Sequence, residues 1–110
     1  MLSSIIKKDN KTIGITFRGY NNAVSAVLEA NGKEVQYNLF TCYGNGTGYA
    51  AYLQYSDDNS TWTNYTYAGG DDRGYAGSYK QGKASGHKYW RIKAGSTNND
   101  WVRGGAVFII

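Results

Sequence analysis

The doublet Asn31-Gly32 stands between two runs of alternating residues. Few short sequences constrain a backbone more tightly, because two successive residues with positive φ reverse the chain with the twist that antiparallel strands need. A two-residue loop there sets a register. Ala30 faces Lys33, and counting outward pairs Leu28 with Val35, Ala26 with Tyr37 and Val24 with Leu39 on one face, which is the expected core face. The other face pairs Glu29 with Glu34, Val27 with Gln36, Ser25 with Asn38 and Ala23 with Phe40, a more polar set expected to be half wet.

The same period of two recurs along the chain. Residues 12–20 set Ile13, Ile15 and Phe17 against Gly14, Thr16 and Arg18; residues 49–56 set Ala51, Leu53 and Tyr55 against Ala50, Tyr52 and Gln54; residues 87–94 set Trp90, Ile92 and Ala94 against Tyr89, Arg91 and Lys93. Further strands are expected over 61–67, irregularly over 74–86, and over 106–110. The last is apolar throughout, as for a strand covered on both sides. Turn signals fall roughly every 8–12 residues: the glycine-rich stretch 44–48, the acidic turn 57–60 and the acidic loop 68–73. With 15 glycines, 11 tyrosines and no proline, the composition suits short strands and tight polar turns rather than helices. At 110 residues there is material for one modest core. The expectation is a single all-β domain over 1–110, a small antiparallel β-sandwich of jelly-roll type with about eight short strands, or alternatively a small β-barrel. Residues 1–10 are expected to form a loosely ordered N-terminal segment.

Cys42 is the sole cysteine, which excludes an intrachain disulfide and a cysteine-based metal centre. The apolar run around Leu2, Ile5 and Ile6 is too short for a membrane span or an export signal. A Gly/Asn/Thr/Tyr-rich chain with only 18% charged residues nevertheless suits a secreted or surface-displayed domain better than a cytosolic one.

Three segments carry a resemblance: residues 52–63, which include Ser56-Asp57-Asp58-Asn59-Ser60-Thr61-Trp62; the run Lys88-Tyr89-Trp90-Arg91-Ile92-Lys93; and the apolar closing strand. Together they are similar to the C-terminal part of discoidin-type (coagulation-factor type C) sandwich domains and related carbohydrate-binding modules. The chain is shorter than such domains, lacks their cysteine pair, and has Asn59 where their turn often has glycine. The resemblance implies a jelly roll with ligand contacts in the loops at one end, and a tryptophan at position 62 packed into the core.

Catalytic chemistry finds few candidates. His87, the sole histidine, lies in Gly86-His87-Lys88 without a recognisable nucleophile elbow, and Gly44, Gly46 and Gly48 lack the following helix that would bind a phosphate. The paired acids Asp57-Asp58 and Asp71-Asp72 sit in loops rich in oxygen-bearing side chains and are the candidate calcium ligands, though Asp in a turn commonly bonds its own backbone. No other cofactor is expected.

Binding is better supported. Between residues 73 and 99 lie Arg73, Lys80, Lys83, Lys88, Arg91 and Lys93 with no acid among them, so a net charge of +4 conceals a basic C-terminal third suited to an anionic glycan or cell-surface polymer. Nucleic acid is disfavoured, because no oligonucleotide-binding motif is legible. Tyr43, Tyr49, Tyr65, Tyr67, Tyr75, Tyr79 and Trp101 flank or occupy glycine-rich loops, where rings can stack on sugars; Lys88 and Arg91 complete the expected binding set. The leading expectation is thus a non-catalytic module for carbohydrate. Two alternatives stand beside it: a secreted toxin or bacteriocin-like domain acting on envelopes, and an assembly domain oligomerising through its final strand and open sheet edges.

Overall fold

In the computed structural model, residues 2–8, 11–18, 21–42, 47–69, 78–96 and 102–110 are described, 2–8 and 47 by their backbone alone. Nine strands lie among them: β1 (Leu2–Lys8), β2 (Thr12–Arg18), β3 (Leu28–Glu29), β4 (Val35–Thr41), β5 (Ala51–Ser56), β6 (Thr63–Ala68), β7 (Ser78–Ala84), β8 (Tyr89–Ala94) and β9 (Val102–Ile109). A single 3-10 turn, Thr47–Tyr49, precedes β5.

The strands form two antiparallel sheets, ordered β1-β2-β9-β4-β7 and β3-β8-β5-β6. From β2 onward the chain changes sheet at every step except the β5–β6 hairpin. Two four-stranded sheets connected in this way are a jelly roll, with β1 added at one edge. Leu2 to Lys8 pair with β2, with two register shifts along the way.

Between the sheets lies one core, contributed by alternate residues: Ile13, Ile15 and Phe17 of β2, Val35, Tyr37 and Leu39 of β4, Leu53 of β5, Trp90 and Ile92 of β8, and Val107 of β9. The strand alternation read from the sequence puts these residues inward, and they are buried. The final strand's apolar character also has its reason here. β9 is central, flanked by β2 and β4. Its Gly104 and Gly105 allow those neighbours to approach: a Cβ on Gly104 would collide with the Ile15 carbonyl oxygen, and one on Gly105 with that of Asn38.

The turn at Asn31-Gly32 forms as the sequence requires, with φ of 52° and 86° and the Lys33 N–H donating to the Ala30 carbonyl at 3.0 Å. The hairpin around it does not form. Leu28 and Glu29 pair with Trp90 and Tyr89 in one sheet, whereas β4 pairs with β7 and β9 in the other. Leu28 and Val35 thus meet across the core instead of side by side, Val24 is exposed, and Glu29 stands beside Tyr89 rather than Glu34. The physical reason is that Leu28, Ala30, Val35, Tyr37 and Leu39 bury more apolar surface facing one another between two sheets than lying together on one face.

Two substitutions test this packing. Trp90→Ala removes a fully buried ring and is expected to cost about 3–5 kcal/mol of unfolding free energy in urea titrations. Gly104→Ala, which must move backbone rather than a side chain, is expected to destabilise by roughly 3 kcal/mol or more, or to leave the protein insoluble.

Candidate functional site

Because Trp90, Ile92 and Ala94 point into the core, the alternation of β8 sends Tyr89, Arg91 and Lys93 to the outer face of the four-stranded sheet. The register with β5 places Ser56, Gln54 and Tyr52 directly beside them. β5 in turn sets Tyr52 beside Tyr67 and Gln54 beside Asn64 on β6. Between those two pairs one residue of β6 is extra, so Tyr65 is displaced from the outer face and turns its ring edge toward Tyr37, Tyr55 and Trp90.

The outer face so formed is aromatic, amide and cationic. The rings of Tyr52 and Tyr67 stack, with centroids 5.3 Å apart and planes at 25°. Arg91 Nε donates to Gln54 Oε1 at 2.8 Å, and Gln54 Nε2 donates to Asn64 Oδ1 at 2.8 Å. The Arg91 guanidinium also lies 4.2 Å over the Trp62 ring. Its partial burial holds its pKa below the ordinary value. Beside the stacked tyrosines is a hollow of about 200 Å³ lined by Asn22, Tyr52, Asn64, Lys93, Gly95 and Ser96.

The back wall of this hollow is held from inside the sandwich. Arg103, 1% exposed, donates from Nη2 to the Gly95 carbonyl at 3.3 Å and from Nη1 to the Gly48 carbonyl at 3.1 Å. Asn22 N–H donates to that same Gly95 carbonyl at 3.0 Å. Burial lowers the Arg103 pKa, and the nearby Tyr49 phenol opposes the shift.

The expected site residues are distributed differently from the loop cluster that the sequence suggests. Tyr67 and Arg91 share the outer face just described. Tyr79 is on β7 of the opposite sheet, 65% exposed, with its hydroxyl donating to Gln81 at 2.6 Å. Tyr49 is half-buried in the 3-10 turn, where its carbonyl accepts the Thr41 hydroxyl at 2.8 Å. Lys88 is exposed ahead of β8, and its N–H donates to Asp57 at 3.1 Å. Tyr43, Tyr75 and Trp101 lie outside the described residues, as do Asp71 and Asp72. Trp62 is half-buried beneath Arg91 instead of in the core. Lys93 was among the basic residues that the sequence singles out; Tyr52, Asn64 and Asn22 escape sequence reasoning, although the polar half of the run over 49–56 was the signal that could have found Tyr52.

The acidic turn is occupied by its own chain. Asp58 Oδ1 accepts the N–H groups of Ser60 and Thr61 at 2.8 Å each and the Ser56 hydroxyl at 2.9 Å. Asn59 adopts φ of 59°, a conformation that Asn tolerates, which explains how it stands in for glycine. Asp57 receives the Lys88 N–H and faces His87 Nδ1 at 3.2 Å, while the His87 ring stacks on Tyr55 at 3.7 Å. Among the described residues no group of three or more His, Cys, Asp or Glu is arranged to hold a metal ion. No described helix is long and apolar enough to cross a membrane.

No protein-family model and no curated protein matches the chain. Among solved structures it is similar to the K3 cleaved adhesin domain of Lys-gingipain from Porphyromonas gingivalis W83, at 12% identity over 87% of this chain and 74% of that one, with a TM-score of 0.49. It is also similar to the carbohydrate-binding module TmCBM61, solved with β-1,4-galactotriose, at 11% identity over 89% and 70% of the two chains and a TM-score of 0.39. A cupin domain from Bordetella pertussis Tohama I matches at 9% identity over 97% and 90%, with a TM-score of 0.38. None of these three is a discoidin-type domain.

The turn carries a pH signature. Its N–H donors hold the Asp58 carboxyl at about 2, below its ordinary 3.8, and those of Lys88 and His87 lower Asp57 as well. A depressed carboxyl pKa stabilises the fold above the unfolded value, and the contribution fades as pH falls from about 4 toward 2. Asp58→Asn, which keeps an acceptor oxygen but no charge, is expected to lower the urea midpoint at pH 7, with the gap to the parent closing as pH approaches 2.

Proposed function

We propose that the chain is a non-catalytic binding module that recognises a carbohydrate on the outer face of its four-stranded sheet. The observation that carries this reading is the stacked pair Tyr52 and Tyr67 beside a polar hollow lined by Asn22, Asn64 and Lys93. Stacking on each other leaves each ring its outer face, and one such face is enough for the C–H face of a single sugar. The amides and ammonium alongside meet its hydroxyls, which is how sites for polar ligands combine apolar area with a few fixed polar groups. These side chains stand on strands, so little ordering is needed when a ligand arrives.

The reading leaves catalysis aside. His87 is engaged with Asp57 and Tyr55 at the start of β8, whereas the hollow lies at that strand's far end, on the order of 20 Å away along the chain. It gives calcium no part at Asp57 and Asp58, whose oxygens accept hydrogen bonds from their own turn. A module of this kind belongs outside the cell, in keeping with the Gly/Asn/Thr/Tyr-rich, charge-poor composition.

Glycan-array screening followed by calorimetry tests the proposal. Tyr67→Ala is expected to weaken the best glycan about tenfold, and Tyr79→Ala, on the opposite sheet, to leave it unchanged. Absence of any glycan binding, or equal losses in both variants, sinks it. Liposome leakage or growth inhibition without glycan binding would favour an envelope-active toxin instead.

A further inference from the structure

Arg91 dictates the hydrogen-bond polarity of three strands. A guanidinium can only donate, so the Gln54 atom facing its Nε must be the carbonyl oxygen. That choice turns the Gln54 NH2 toward Asn64, which must therefore present its own oxygen. Both amide orientations are fixed by one cation, and what Asn64 retains for a ligand is its NH2. Lys93 is two residues beyond Arg91 on the same face, about 6.6 Å along the strand, and contributes a third kind of donor.

Arg91 itself keeps capacity in reserve. Its Nε is bonded to Gln54 and its guanidinium carbon lies over the Trp62 ring, yet its two terminal nitrogens make no hydrogen bond or ion pair with a described residue. Glu29, the described carboxylate on this face, stands one strand away beside Tyr89 and forms no ion pair with Arg91. The side chains around the ladder thus offer donors, with the tyrosine hydroxyls able to play either role.

Resting on the carbohydrate reading above, we infer that this face selects an acidic saccharide, whose uronate carboxylate is gripped by the terminal nitrogens of Arg91 while Asn64 and Lys93 bond neighbouring oxygens. A planar fork matches a carboxylate with two parallel hydrogen bonds, and the Nε bond to Gln54 together with the contact over Trp62 restrains the guanidinium before the ligand arrives. Single-stranded nucleic acid suits the face less well. Its recognition uses rings splayed to receive successive bases, whereas Tyr52 and Tyr67 stack on each other.

Affinity electrophoresis and calorimetry with polygalacturonate, neutral galactan, dextran sulfate and single-stranded DNA decide the matter. The parent is expected to bind polygalacturonate at least about tenfold more tightly than galactan. Arg91→Gln should remove that preference, and Arg91→Lys, which keeps the charge but loses the fork and the bond to Gln54, should restore only part of it. Lys80→Gln, on the opposite sheet, should change nothing, and circular dichroism with urea unfolding should confirm that each variant is folded. Equal, Tyr67-dependent binding of galactan and polygalacturonate overturns the acidic preference and leaves the carbohydrate reading standing. Failure to bind any saccharide overturns both. Equal retention on all three polyanions, weakened as much by Lys80→Gln as by Arg91→Gln, overturns the slot in favour of undirected charge attraction.

Discussion

Burial of Trp90 governs the organisation of the four-stranded sheet. Its indole is fully enclosed and meets the rings of Tyr55, Tyr65 and His87 edge-on at 5.4 to 6.0 Å. A strand has two faces, so fixing this ring inward fixes Ile92 and Ala94 inward and sends Arg91 and Lys93 outward; a slip of one residue would reverse all five. The indole N–H finds no acceptor among the described residues, a desolvation cost that the burial of the ring itself has to exceed. What the cluster supplies is register, and with it the identity of the side chains that reach solvent.

A second dependence runs through the ends of the sandwich. The chain passes from one sheet to the other at Asn31-Gly32, where the N–H groups of Ala30, Asn31 and Gly32 go to carbonyls of Lys88 and His87 while the Glu34 carbonyl accepts from Ile110. Each arm of the turn is therefore claimed by a different sheet. Arg103 does comparable work at Gly48 and Gly95, where a guanidinium satisfies carbonyls that no strand reaches. Turns that separate sheets need such anchors, because the ladder that would normally hold them is missing.

Much of the fold was legible in the sequence for simple reasons. Period-two alternation located β2, β5 and β8, absence of proline and abundance of glycine and tyrosine excluded helices, and the Ser56–Thr61 turn carried its own hydrogen-bonding chemistry. The Asn31-Gly32 turn was legible as a turn, but its neighbours were not, since local geometry sets the reversal while tertiary burial decides whether the arms lie side by side. The site was the least legible part. Tyr52, Gln54, Asn64, Tyr67, Arg91 and Lys93 come together only through the order β8-β5-β6, and the extra residue that withdraws Tyr65 leaves no mark in the sequence. Reasoning from glycine-rich loops favoured tyrosines such as Tyr79, which the jelly-roll crossovers carry to the opposite sheet.

The two hydrogen-bonded clusters differ in what controls them. The turn at Asp58 is held by a carboxylate and weakens when that group takes up a proton. The ladder from Arg91 through Gln54 to Asn64 contains amides and a guanidinium, none of which changes protonation in any compartment a cell maintains. Its direction is consequently locked. Acidification that loosens the turn leaves the pattern of donors on the sheet unaltered, so any acid sensitivity arising at this ladder would originate in the ligand's own ionisation.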